Sequence, residues 1–234
     1  MTEEEWLAAT EPTLMLEFLR GKASDRKMRL FAVACGRVLW PLLADIASQR
    51  AVEIGEQYAD GLADDRTRLI ARRAAHSAPE ALIPHWRSGS IPSASLTAAA
   101  AVLPCVDKSV RIWGYDFLRS VQALGDLIAT SQCDSGERPL RGDTKAACEF
   151  HVALIHNIFG NPFRPVTFSP SWRTPTAVAL AAQMYESRDF SAMPILADAL
   201  QDAGCDATDV LNHCRGPGVH VRGCWVADLV LDKQ

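Results

Sequence analysis

No stretch of this 234-residue chain offers the ~18–20 uninterrupted apolar residues that a membrane-crossing helix needs. The longest apolar runs, near residues 30–43 and 96–106, are broken by Arg37, Pro41 and Pro104. The first residues carry Glu3, Glu4 and Glu5, the reverse of the cationic start of an export signal. Both absences lead us to expect a cytoplasmic protein with no membrane partner. A large surplus of charge is also missing. Lys and Arg number 24 against 28 Asp and Glu, a net charge of −4, so bulk attraction to nucleic acid is not expected. The seven cysteines are odd in number and contain no C-x2-C pair. Neither a disulfide framework nor a zinc knuckle therefore organises the chain, and reduced thiols are expected.

Catalytic templates are missing too. There is no G-x-S-x-G elbow, no kinase set, no phosphate loop and no G-x-G-x-x-G. His151 and His156 stand five apart, so they do not make H-E-x-x-H. Cys148 and His151 lie one turn apart on one helix, whereas a catalytic Cys–His pair usually spans two elements, so a core or surface role is expected. Basic and aromatic residues do not interleave as on an RNA-binding sheet. The run Arg20, Lys22, Arg26, Lys27 and Arg29 reads as a solvated helix face. No internal repeat or heptad seam is present.

What the chain does have is a core. Hydrophobic residues make up 48% and charged residues 22%, an ordinary globular balance. Met28, Phe31, Ala32, Cys35, Val38 and Leu39 recur in steps of three and four, the helical period. Helix starts are marked by Pro12, by Ser24 before Asp25, and by Asp45; Gly21, Pro41 and Gly204 mark stops. The expected fold is all-α, a multi-helix bundle or irregular helical array, with room for one short extended segment at 166–168. A charged surface helix is expected at 64–76, then a proline-punctuated stretch at 77–104, an Ala-rich helix at 93–103 and an apolar helix at 106–129. The polar, turn-rich segment 131–143 is the best candidate linker. It divides a helical region at 1–130 from another at 144–234, unless the two pack as one domain. The second region is expected to hold helices at 144–159, 176–185, 193–203, 207–214 and 225–231.

Chemistry-bearing residues concentrate near the C-terminus. Cys205, His213, Cys214, His220 and Cys224 supply the thiolate and imidazole donors that zinc prefers. Their spacing matches no standard motif, and adjacent His213 and Cys214 can rarely hold one ion; as packing residues the cysteines would be small and apolar. The same segment admits an anion or phosphate ligand at Arg215, Gly216, Gly218 and Arg222, around a glycine-rich turn. Phe163 and Arg164, in the proline-rigid stretch 161–165, can either dock a partner or plug the core. With no catalytic template and six tryptophans as contact anchors, the leading expectation is a non-enzymatic interaction or scaffold module whose partner is another protein. Zinc is the cofactor the alternative reading would bring.

Three groups of residues carry a resemblance. They are Glu5-Trp6-Leu7-Ala8 followed by Met15-Leu16-Glu17-Phe18-Leu19-Arg20-Gly21-Lys22-Ala23-Ser24-Asp25-Arg26-Lys27, then Ile158-Phe159-Gly160-Asn161-Pro162-Phe163-Arg164-Pro165-Val166, and last His213-Cys214-Arg215-Gly216-Pro217-Gly218 with His220-Val221-Arg222-Gly223-Cys224-Trp225. Together they are similar to a family of planctomycete-type bacterial proteins without an established activity. The resemblance implies one integrated bacterial protein and supplies no mechanism.

Overall fold

Helices start at Pro12, after Ser24 and after Asp45 as the sequence marks them. Thr2 and Glu5 cap each other reciprocally at the start of α1 (Glu3–Leu7). Pro12 opens α2 (Pro12–Leu19). The Ser24 hydroxyl accepts from the Lys27 amide at the start of α3 (Asp25–Val38). Pro41 turns the chain through a short 3-10 helix, Trp40–Leu42. Asp45 caps α4 (Ile46–Ala59), and Asp64 caps α5 (Asp65–Arg87). After α6 (Ser93–Ala101) a 3-10 turn, Leu103–Val106, follows. The remaining helices are α7 (Thr144–Phe159), α8 (Pro175–Ser187), α9 (Met193–Asp202), α10 (Thr208–Arg215) and α11 (Trp225–Leu231), with a 3-10 turn at Pro170–Trp172. This computed structural model describes residues 1–108, 124–125 and 144–233, and among them it holds eleven α-helices and no strand. The fold is all-α. The segment 166–168 is not a strand. The linker expected at 131–143, most of the helix expected at 106–129, and Trp113 lie outside the described residues.

Helix α5 differs most from expectation. It runs for 23 residues, straight through Pro79 and Pro84. A proline inside a helix loses one hydrogen bond and crowds the preceding turn. Here Ala71, Ala75, Ala78 and Leu82 continue one buried stripe at steps of four, three and four. Ala78 and Leu82 pack with Ala99 of α6, and that burial outweighs the local penalty. The helix is therefore buried on one face, where the sequence suggested a solvated rod ending near residue 76.

The described residues form two units, Ala9–Val152 and Met1–Ala8 with Ala153–Gln234. In the first, α4 packs between α3 and α5, and the turn Leu103–Val106 is held against α3, α4 and α5. Approach is close there: a Cβ on Gly55 would stand 2.6 Å from the Cys105 carbonyl oxygen. Two arginines fasten the same turn. Arg29 donates to the Cys105 carbonyl at 2.7 Å, and Arg68 to the Val106 carbonyl at 2.7 Å. Both guanidinium groups lie over the Tyr58 ring. Arg29 is only 2% exposed, which corrects its reading as part of a solvated face: the turn's carbonyls need donors, and a long cationic side chain can reach them. Arg26 pairs with Asp60, and Arg37 with the buried Glu56.

The second unit centres on Ala181, Met184, Met193, Leu196, Leu200, Val210 and Val226, all under 2% exposed. Helices α8, α9, α10 and α11 contribute them. Arg173 donates twice to the Leu229 carbonyl and pairs with Asp232, closing the C-terminal end of α11. Helix α1 belongs to this unit through Trp6. Its indole is fully buried, donates to the Gly160 carbonyl at 3.2 Å and meets His156 edge-on. No helix among the described residues is long and apolar enough to cross a membrane.

Candidate metal centre

Helix α10 places two neighbouring side chains on different sides. Val210 and Cys214, four apart, turn into the apolar cluster. His213 then faces the other way, beside the Trp225 ring at 5.1 Å between centroids. The helix ends as the Gly216 amide bonds back to the Asn212 carbonyl at 2.8 Å, and Pro217 prevents its continuation. The chain returns through His220 and Val221 to a turn closed by the Cys224 amide on the Val221 carbonyl at 2.9 Å. Tyr185 sets this turn. Its hydroxyl accepts from the Gly223 amide at 2.9 Å and donates to the buried Asp228. Cys224 is thus presented inward just before α11 starts.

The result is a cluster. One donor atom each from His213, His220 and Cys224 lies within 4.8 Å of the others. His213 Nε2 is 3.2 Å from Cys224 Sγ, and His220 Nδ1 is 3.9 Å from it. A tetrahedral zinc with Zn–N near 2.0–2.1 Å and Zn–S near 2.3 Å sets its ligands about 3.3 Å (N to N) and about 3.5 Å (N to S) apart. The observed spacings straddle that value. The two rings meet edge-on at 4.9 Å, so their lone pairs can converge without stacking. Burial holds the His220 imidazole below its usual range, against a weaker opposing pull from the Gly216 backbone. The neutral ring is the form that binds a metal.

Asn157, on α7, completes the surround. It is 2% exposed. Its Nδ2 donates to His213 Nε2 at 3.3 Å and to His220 Nδ1 at 3.0 Å, and its Oδ1 accepts from the Val221 amide at 3.2 Å. Sequence reading missed this residue. The available signal was a lone amide on a helix face otherwise made of Leu154, Ile155 and Ile158, all fully buried. Tyr185 and Asp228 were missed as well: Tyr185 is distant from the cluster in sequence, and Asp228, one turn after Cys224, carries no local sign of its partner.

The other sequence candidates are not among these three converging donors. Cys205 and Cys214 are buried in the same apolar cluster as Cys224, and burial pushes both thiols up. Arg215 is engaged by Asp198 and Gln201, each at 2.7 Å. Arg222 lies over the Tyr185 ring. Gly216 follows α10 in extended conformation, and a Cβ on Gly218 would meet nothing. The two arginines thus face different protein groups. Phe163 is half-buried, its amide donating to Asn161, and Arg164 pairs with Glu3. His151 is fully buried and its Nδ1 donates to the Ala147 carbonyl at 2.6 Å, a core role. Trp6 is buried, Trp40, Trp172 and Trp225 are partly buried, and Trp86 is exposed.

Comparison with family models, with curated proteins and with solved structures finds no match to the chain in any of the three.

Proposed function

We propose that this is a helical metal-binding protein that holds a transition-metal ion, zinc first, through His213 Nε2, His220 Nδ1 and Cys224 Sγ. The observation that supports the reading is the approach of these three donor atoms to within 4.8 Å of one another. Two imidazoles and one thiolate suit zinc by softness and by preferred geometry. Tyr185 and Asp228 orient the turn that carries Cys224, as the groups behind a metal ligand commonly do. An interaction role has less behind it, because Trp6 is committed to its own unit's interior and Trp40, Trp172 and Trp225 are partly packed away.

Elemental analysis of protein purified without a metal-affinity tag tests the proposal. About one equivalent of zinc is expected, since a tight site stays loaded through purification. Cys224→Ala and His213→Ala are each expected to abolish retention. Less than about a tenth of an equivalent in the unaltered protein, with none taken up on titration, overturns the reading.

A further inference from the structure

The three side chains leave one corner of a tetrahedron to fill, and the following inference rests on the metal reading above. The terminal amide atom of Asn157 already stands near that corner. It lies 3.3 and 3.0 Å from the two ring nitrogens, close to the edge of about 3.3 Å that separates two nitrogens around one zinc. We propose that Asn157 is the fourth ligand of the site, binding the ion through its Oδ1.

The two terminal atoms of a carboxamide are nearly identical in shape, so half a turn about Cβ–Cγ exchanges them without repacking. Without an ion, the orientation is set by hydrogen bonding. Two ring nitrogens accept, so the amide offers them its two N–H hydrogens and gives its oxygen to the Val221 amide. A cation at the centre reverses that choice, because it repels the N–H hydrogens and attracts the oxygen lone pairs. At 2% exposure the side chain leaves little room on its side for water to take the corner instead. Rotation withdraws the acceptor from the Val221 N–H. Loading is therefore transmitted to the loop between α10 and α11, whose amide at Val221 loses its partner when the ion arrives.

Cobalt(II) titration of the full-length protein tests this, with azide as a competing ligand and the visible spectrum as readout. The unaltered protein is expected to give a tetrahedral cobalt–thiolate spectrum that azide does not change. Asn157→Asp keeps size and offers an anionic oxygen, so it is expected to bind cobalt at least about tenfold more tightly and to stay indifferent to azide. Asn157→Leu keeps the volume without a donor, and it is expected to bind about 10–100-fold more weakly and to respond to azide. An azide-sensitive spectrum in the unaltered protein overturns the Asn157 assignment while leaving the three-ligand site standing. So does cobalt binding by Asn157→Leu at unaltered strength; should that variant not fold, an Asn157→Asp variant with no gain in affinity overturns the assignment equally. A protein that binds no cobalt at all overturns the metal reading and this inference together.

Discussion

His151 shows how a single side chain can set the acid limit of the fold. It is buried against Phe31 and Phe150, and burial pushes its pKa down to about 4. The unfolded chain takes up that proton near pH 6.5. Between the two values the unfolded state binds more protons than the folded state, so stability falls as pH drops from about 6.5 to about 4. The loss is complete below that window and absent above it. As much as about 3 kcal/mol is at stake. His151→Leu is expected to flatten this part of a urea-midpoint-against-pH profile. An unchanged slope would show that other groups carry the acid sensitivity. Gly160 is a second single-residue control. Its φ of 64° favours glycine, and a Cβ there would sit 3.2 Å from Trp225 Cγ. Gly160→Ala is expected to cost about 1–3 kcal/mol in chemical denaturation, and to lower metal affinity because Trp225 packs on His213.

At the level of elements, the prolines of α5 carry a measurable cost. Pro84 is exposed and sits inside a helix whose buried stripe has its last member at Leu82. Pro84→Ala is expected to stabilise by about 1–3 kcal/mol, read as a raised thermal midpoint. Gly55 marks the opposite case. Gly55→Ala would drive a Cβ into the Cys105 carbonyl, and overpacking of that kind is expected to destabilise by about 1–3 kcal/mol. Local signals made most of the helices legible: Pro12, Ser24 and Asp45 open theirs, and Thr144–Phe159 and Trp225–Leu231 are bounded correctly by pattern alone. The extension of α5 was not legible, because what carries it is burial of Ala78 and Leu82 against Ala99, and no local rule reports that contact. The same holds for Arg29, whose carbonyl acceptor lies 76 residues away. The candidate centre was half-legible. His213, His220 and Cys224 fall within twelve residues and could be suspected together, whereas Asn157 stands 56 residues from His213. Cys205 and Cys214 could not be sorted from Cys224 by type; all three share one apolar cluster, and only the Cys224 thiol lies with the two imidazoles.

For the molecule as a whole, two units with their own interiors are expected to answer a metal differently. Ion binding stabilises the folded form with the logarithm of the ratio of its concentration to the dissociation constant, about 2.7 kcal/mol at a hundredfold excess. All the proposed ligands belong to the unit of Met1–Ala8 and Ala153–Gln234. Added zinc is therefore expected to slow amide exchange chiefly within 153–233, leaving α4 and α5 little changed. Equal protection across both units would contradict a site confined to one.

Trp6 finds its hydrogen-bond acceptor 154 residues downstream. At synthesis rates of about 5–20 residues per second, that gap lasts roughly eight to thirty seconds. During this interval the first helix, five residues long, has been made but its seat has not. An isolated helix of that length does not hold together in water. Helix α1 thus waits as unstructured peptide with a bare indole until Gly160 has been made and can accept its hydrogen bond.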